Sequence, residues 1–254
     1  MDADVDGCIA FCLGAGGGVI NAVAGGATLI TFPAMLAAGL PPVVANASNA
    51  VAIAPGHLLA AIADREKLPV VDRWLVWTLA AAVLGGVAGA LLLLAVPERL
   101  FVLPVPALIG FATLLFAFAP RVQAWSARRR EGRAASPWAG LGSVAGASVY
   151  GGFFGAGLGV ILTAILAIHD AGDLRRVKVL KNLLATAVSL AAVAIFVVQG
   201  AVRWPETIVM LAGALLGGYA GGHLVRVLPA QATRWVVIVA GAVMTVFYAW
   251  KYWR

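Results

Sequence analysis

Residues 14–49 read GAGGGVINAVAGGATLITFPAMLAAGLPPVVANASN, and this stretch decides how the chain folds. It is apolar enough for a membrane, yet its six glycines before Pro33 and its Pro41-Pro42 pair weaken a continuous helix. Asn46 and Asn49 follow at a spacing of three, which places them on one helix face. Within lipid, irregular backbone is tolerated only where protein buries it or where it lines a cavity. The stretch therefore predicts the wall of a binding site.

The composition places the chain in a membrane. Hydrophobic residues make up 62% of the 254 positions, against roughly 45–50% in soluble domains, and the mean hydropathy is +0.97. Several apolar runs reach the ~20 residues that cross a bilayer. We predict an all-α polytopic protein of a bacterial inner membrane. Asp2, Asp4 and Asp6 stand where a cleavable signal peptide carries positive charge, so no such peptide is expected.

The charged residues exclude several classes of function. The formal net charge of +7 is explained by basic loops on one side of a membrane, and no nucleic-acid partner is expected. No Asp or Glu lies at the centre of an apolar run, which argues against a carboxylate-centred sodium or proton site. GAGGGV, at residues 14–19, lacks the lysine of a phosphate-binding loop. We therefore expect no cofactor and no metal.

Apolar runs separated by charged or proline-containing turns predict the membrane spans. Each half of the chain begins with a long, glycine-broken block and continues with three further spans. In the first half the block is 7–38, and the spans are at about 43–63, 74–96 and 100–119. The basic stretch 121–137 is predicted to be a linker. The second block is 138–170.

The two halves look like an internal duplication. LGGVAG at 84–89 reappears as LGGYAG at 216–221, and Pro97 and Pro229 are separated by the same number of residues. We predict one membrane domain, residues 1–254, built from repeats 7–122 and 138–250. Glycine-interrupted segments at matching positions of two repeats are typical of the substrate site of a secondary transporter. The glycines of the two LGG motifs themselves are predicted to pack helices closely.

The membrane topology depends on how the two long blocks cross. If each block is a single span, the chain has eight spans, and the basic residues divide as 11 against 7 between the two sides. If each block folds back as a re-entrant hairpin, they divide as 14 against 4. The second division follows the positive-inside rule better. It predicts an inverted repeat with both chain termini outside.

The ordered motifs resemble the sulfite exporter TauE/SafE family, also called the toluene sulfonate uptake permeases. The resemblance is carried by GAGGGVINAVAGGATLITFP at 14–33 and by GLPPVVANASN at 39–49. Their counterparts in the second half are GGFFGAGLG at 151–159 and Lys181-Asn182. With the two-repeat plan, the resemblance covers essentially the whole chain.

The resemblance implies a secondary carrier for small sulfur-containing anions, such as sulfite, sulfoacetate or other organosulfonates, working by alternating access. The family name favours export. The second half departs from the pattern, because Thr163 stands near the place of Pro33 and the charged DAGDLRRVK, 170–178, replaces the Pro-Pro turn. Unequal contributions of the two halves to the site are therefore expected.

A small oxyanion needs hydrogen-bond donors, and half-helix starts supply backbone N–H groups together with a positive dipole end. The candidate substrate-binding residues combine such starts with amide, hydroxyl and ammonium groups: Gly25, Gly26, Thr28, Asn49, Gly155, Gly157, Lys181 and Asn182. Each has a plainer interpretation. The glycines suit close packing, the asparagines suit bridges between helices, and Lys181, like Lys178, suits the membrane interface.

His57 and His223 lie inside apolar runs. Each is a candidate proton relay or, more simply, an interhelical hydrogen-bond partner. Tyr150 is predicted to be an interfacial aromatic. These histidines and the cysteines show no spacing typical of a metal or nucleophile site, so an enzyme is not predicted.

Other functions stay open from the sequence alone. The first is a channel or permease for small anions without sulfur, and less favoured is a membrane-embedded enzyme acting on a lipid or thiol. A structural subunit disagrees with the glycine-broken repeats. Lipid is the expected surroundings of the protein, and small-residue helix faces leave a homodimer open.

Overall fold

A computed structural model describes residues 11–20, 26–63, 71–130, 137–169, 174–224 and 230–254. Every regular element in those ranges is a helix. The elements, in chain order, are α1 Phe11–Ile20, α2 Thr28–Ala37, α3 Pro42–Ala63, α4 Arg73–Ala95, α5 Glu98–Phe101, α6 Val105–Arg130, α7 Pro137–Phe153, α8 Leu158–His169, α9 Leu174–Val198, α10 Trp204–Leu224 and α11 Ala230–Tyr252.

Four helices are long and apolar enough to cross a membrane, at Arg73–Ala95, Val105–Trp125, Arg176–Val198 and Arg234–Tyr252. The prediction of an all-α polytopic membrane protein is confirmed. The long block 138–170 is two helices, α7 and α8, as its glycines predict. In the first block, Gly26 and Ala27 lie outside helix, and α2 follows. The ten residues of α2 rise only about 15 Å, half the ~30 Å hydrocarbon core.

Two span boundaries differ from those predicted. The fourth span was expected at 100–119, but a short α5 precedes it and α6 continues to Arg130. The beginning of the stretch 121–137, predicted to be a linker, is thus helical. Arg, Gln and Ala are good helix formers, so the helix outlasts its apolar part.

The chain divides into two compact units. The first contains Met1–Gly56, Leu94–Ala117 and Phe196–Arg254, and the second contains His57–Leu93 and Phe118–Ile195. The helices α3, α4, α6 and α9 each contribute residues to both.

Within the first unit, α1 packs closely on α10. A methyl group added to Gly14 would meet the carbonyl oxygen of Met210, and one added to Gly217 would meet that of Ala15. The helix α2 lies against α11, where the Tyr248 hydroxyl donates to the Pro33 carbonyl oxygen at 3.2 Å. Because glycine has no side chain, the backbones of α1 and α10 can approach each other this closely.

Within the second unit, α4 packs on α7 in the same manner. Methyl groups added to Gly89 and Gly152 would meet the backbone of Val149 and of Gly86. Helices α8 and α9 complete this unit's core with buried aliphatic residues, of which the largest include Leu162, Leu166, Leu180 and Leu184. The predicted packing role of LGGVAG and LGGYAG is confirmed by the contacts of Gly86, Gly89 and Gly217.

Candidate functional site

The break between α7 and α8, in the second unit, is built by glycines with left-handed backbone. Gly155 has φ +79° and Gly157 has φ +80°, a region that side chains with a Cβ avoid. The amides of Phe154 and Gly155 both donate to the Tyr150 carbonyl oxygen, at 2.9 and 3.2 Å, and so terminate α7. The Leu158 amide donates to the Gly155 oxygen at 3.1 Å and begins α8. The N-terminus of α8, the positive end of its dipole, therefore starts inside the unit.

Tyr150 holds this break together. Its hydroxyl donates to the Ala156 carbonyl oxygen at 2.7 Å, and its ring lies edge-on to Phe154 with centroids 6.5 Å apart. The expected interfacial role does not describe these contacts. Its position five residues before Gly155 was the signal in the sequence that could have identified the role of Tyr150 at the break.

Lys181, from α9, lies beside the first turn of α8, and Asn182 follows it in α9. A methyl group placed on Gly159 would be 3.7 Å from Cδ of Lys181, so the lysine side chain runs along the start of α8. Asn182 is buried. The structure places Lys181 next to the helix that Gly155 and Gly157 precede. An ammonium and a helix N-terminus in one place form positive potential suited to an anion.

His57, near the end of α3, belongs to the same group. The Thr186 hydroxyl lies 2.9 Å from the His57 carbonyl oxygen and 2.8 Å from the Asn182 carbonyl oxygen. Sequence reasoning missed Thr186, a residue with no distinguishing pattern in an apolar helix.

The first unit contains a second half-helix start, at α2. Gly25 lies outside the described residues, and Gly26 and Thr28 are buried. A methyl group on Gly26 would approach the Phe116 ring and Val237. The amides of Leu29 and Ile30 donate to the oxygens of Gly26 and Ala27, at 3.1 and 2.9 Å.

Asn49 is a deeply buried polar residue of the first unit. Its side chain is 1% exposed, and its Oδ1 atom is buried without a hydrogen bond to any described residue. Buried threonines of the same unit satisfy theirs locally, as Thr31 does on the Ala27 oxygen at 3.0 Å. Because an unsatisfied buried amide is costly, Asn49 suits contact with a ligand or water. A half-turn of its carboxamide presents either a donor or an acceptor.

The remaining candidates add little. His223 lies in α10, and its side chain is outside what the structure describes. Lys178 is exposed on α9. The described residues contain no group of three or more His, Cys, Asp and Glu side chains placed to hold a metal.

The chain resembles proteins named as probable membrane transporters over nearly its whole length. The model of the family described as sulfite exporter TauE/SafE matches residues 10–248. A probable membrane transporter protein of Haemophilus influenzae is 30% identical over 251 residues, covering 96% of this chain and 95% of the relative. The probable membrane transporter YfcA of Escherichia coli K12 is 29% identical over 232 residues, covering 90% and 84%. No solved structure matches with comparable significance.

Proposed function

Because the chain belongs to the sulfite exporter TauE/SafE family and is a multi-pass membrane transporter, we propose that its cargo is a small sulfur-containing anion. Sulfite, sulfoacetate and other organosulfonates form the substrate class, and alternating access is the mechanism. The direction is export, which the family description names.

The observation that carries the proposal is the position of Lys181 at the start of α8. Its Cδ lies beside Gly159, in the first turn of α8, and we infer from this that the ammonium and the helix dipole act on the same region. A tetrahedral sulfur oxyanion offers several acceptor oxygens to the ammonium and to backbone N–H groups. The charge favours an anion over a neutral or cationic cargo.

Asn49 supports the proposal from the first unit. The carboxamide of Asn49, whose buried Oδ1 lacks a partner among the described residues, can turn so that its NH2 group takes the place of the oxygen and donates to an anion. A contact of Asn49 with an anion, within the first unit, adds a hydrogen bond and no charge.

The first test is thermal stabilisation of the purified protein in detergent by sulfite, sulfate, thiosulfate, sulfoacetate, taurine, acetate and chloride. A ligand that binds only the folded state increases the free energy of unfolding, by about 2.7 kcal/mol when its concentration is a hundred times Kd. The melting temperature rises as a result. We expect a sulfur anion to stabilise the wild type and Lys181→Gln to reduce its affinity at least tenfold. Lys178→Gln, which removes an exposed charge from the same helix, is the matched control.

The outcomes separate the alternatives. A rise with acetate or chloride equal to that with every sulfur anion would make the protein a general anion permease or channel. Equal losses of sulfur-anion affinity in Lys178→Gln and Lys181→Gln would show a non-local effect of charge. Lys181 would then not be a binding residue. No response to any anion, in a sample that melts cooperatively, would overturn the proposal and revive the embedded-enzyme alternative.

Asn49 has a test of its own. Asn49→Asp keeps the shape of the side chain but adds a negative charge where an anion is proposed to contact it. We expect its loss of sulfur-anion affinity to exceed that of Asn49→Ala, since repulsion adds to the missing hydrogen bond. Equal affinities in wild type and both variants would exclude Asn49 from the binding site.

A further inference from the structure

The end of α11 holds two basic residues against aromatic rings. The Lys251 ammonium lies 6.0 Å from the centroid of the Tyr248 ring and 5.6 Å from that of the Tyr252 ring, and these two rings are stacked with centroids 5.5 Å apart. The Arg254 guanidinium lies over the Trp250 ring, 5.8 Å from its centroid. The rings therefore hold each cation at a defined place at the end of a membrane-spanning helix.

No described acidic side chain pairs with these two cations. Residues 230–254 contain no Asp or Glu, and neither Lys251 nor Arg254 forms an ion pair with an acidic side chain in the part of the chain that the structure describes. Because a ring face attracts a cation without accepting a full hydrogen bond, N–H donors of both groups stay available. The negative end of the helix dipole favours cations there, but it supplies no anionic group.

An exposed apolar row leads along α11 to these cations. Its residues recur every three or four positions, which places them on one helix face, and each is more than half exposed: Val236, Val239, Val243, Val246 and Trp250. From the first to the last of them the helix rises about 21 Å, more than the ~15 Å of one leaflet of a ~30 Å hydrocarbon core. The row is therefore long enough to lie along a whole acyl chain, with the cations at its end.

Trp253 fixes the end of α11 within the first unit. Its Nε1 group donates to the Leu103 carbonyl oxygen at 2.9 Å, and Leu103 lies in the turn between α5 and α6. Both residues are exposed. An indole that is anchored through its N–H and exposes an apolar ring is typical of the membrane–water interface. We therefore expect the two cations to lie at the level of the lipid headgroups.

We propose that the end of α11 binds an anionic phospholipid, whose phosphate contacts Lys251 and Arg254 and whose acyl chain lies along the exposed apolar row. An ammonium and a guanidinium donate charge-assisted hydrogen bonds to the phosphate oxygens. A zwitterionic lipid carries a cation that offsets its phosphate, so the two basic residues favour an anionic lipid. The inference concerns the first unit and does not depend on the identity of the cargo.

A second copy of the chain is the alternative occupant of this face. In a dimer whose two-fold axis runs along the membrane normal, the same helix end of both copies meets at the interface. Lys251 and Arg254 would then lie near their own copies, and like charges repel. Because a lipid phosphate has the opposite charge, the charges at the end of the apolar row favour the lipid.

The test is native mass spectrometry of the purified full-length protein in a nonionic detergent, titrated with phosphatidylglycerol or with phosphatidylcholine that carries the same acyl chains. We expect the wild type to bind the first molecule of phosphatidylglycerol about tenfold more tightly than phosphatidylcholine, since each basic residue near the headgroup adds to the attraction. Lys251→Gln combined with Arg254→Gln should bring the two affinities close to each other. Lys251→Arg, which keeps the charge, should preserve the preference.

Two controls separate this site from a general attraction of anionic lipid. Arg121→Gln removes another exposed cation that lies over a ring, 5.4 Å from the centroid of Phe118, and should leave the preference unchanged. Glycerol 3-phosphate, which has the phosphate without acyl chains, should not displace the lipid. Melting curves establish that each variant folds.

Four results would overturn the proposal. Equal affinities of the wild type for the two lipids would exclude recognition of the anionic headgroup, and an equal loss of preference in Arg121→Gln would show a non-local effect of charge. Displacement by glycerol 3-phosphate would indicate a site for a soluble phosphate. Disulfide cross-linking between copies through Val243→Cys, in a background where Cys8 and Cys12 are serine, would assign the apolar row to a second copy.

Discussion

Gly155 and Gly157 are the residues whose backbone conformation the break between α7 and α8 requires. Both have positive φ angles, and a methyl group on Gly155 would lie 3.0 Å from the Gly151 carbonyl oxygen. A residue with a Cβ costs roughly 1–2 kcal/mol in this conformation. The start of α8, and with it the helix dipole beside Lys181, depends on these two positions.

We expect Gly155→Ala and Gly157→Ala each to destabilise the protein by about 1–2 kcal/mol and to weaken sulfur-anion binding. Melting temperatures and ligand-induced shifts measure the two effects. Gly159→Ala is the control, because its methyl group would make an ordinary contact with Lys181 Cδ, at 3.7 Å, in regular helix. If Gly159→Ala lowered stability as much as the other two, backbone strain would not be the cause.

At this scale the sequence predicted the residue types but not their contacts. Glycines in an apolar block indicate a break, and Lys181-Asn182 indicate polar groups inside a membrane protein. Tyr150 and Thr186 were not foreseen, because their roles depend on which carbonyl oxygen lies opposite each hydroxyl, and such pairing is a property of the folded chain.

Among the elements, a side chain of α11 donates to a carbonyl oxygen of α6 that lacks its usual hydrogen bond within the helix. Pro120 lies inside α6 and has no N–H to donate to the Phe116 carbonyl oxygen, four residues earlier. Arg234, from α11, donates to that oxygen through Nε at 3.1 Å and to the Ala117 oxygen through Nη2 at 2.6 Å. The Phe116 ring, in turn, closes the space beside Gly26. Arg234 therefore also supports the residue that packs on the start of α2.

A double-mutant cycle tests this repair. Arg234→Ala should destabilise the wild type by roughly 1.5–3 kcal/mol, the range for hydrogen bonds to charged groups. In a Pro120→Ala background the new N–H at position 120 satisfies Phe116, so the same substitution should cost less. Denaturation of the four proteins gives the coupling energy. Arg121→Ala, at an exposed position of α6, should show no coupling to Pro120→Ala, and additivity in the Arg234 cycle would contradict the proposed repair.

The elements were the most predictable part of the fold. The span predicted at 43–63 is Pro42–Ala63, and the one at 74–96 is Arg73–Ala95, because prolines and charges end both apolar runs. The end of α6 was not predictable in this way. Hydropathy locates the membrane boundary, whereas Arg and Gln after Ala119 let the helix continue beyond it.

Over the whole molecule, the glycine motifs pair across the two predicted repeats. In the second unit, Gly86 of LGGVAG contacts Gly152 of α7, which belongs to the other half of the chain. In the first unit, Gly217 of LGGYAG contacts Ala15 of α1, again from the opposite half. The sequence predicted that both motifs pack helices. It could not predict which helix packs there, since a row of small residues indicates a packing surface but does not identify the partner helix.

The internal duplication and the orientation of its two halves are predictions, and membrane topology tests the orientation. With a hairpin in each long block, the stretches 64–73, 121–137, 170–181 and 226–234 are predicted to share one side, and they hold 14 of the 18 basic residues. The shortness of α2 favours that arrangement over a single span. Both termini then lie on the side opposite the 121–137 stretch.

Single cysteines introduced at Ala3, Ser126 and Arg254, in a background where Cys8 and Cys12 are serine, test this topology in spheroplasts with a membrane-impermeant maleimide. We expect positions 3 and 254 to be labelled in intact spheroplasts and position 126 only after permeabilisation, because the positive-inside rule holds the basic stretch in the cytoplasm. The eight-span alternative places residues 121–137 and the C-terminus on one side, so equal labelling of positions 126 and 254 would support it. That result would make the two repeats parallel, and each long block would then have to cross the membrane once. Because α2 has only ten residues, α1 and α2 would have to cross the membrane together.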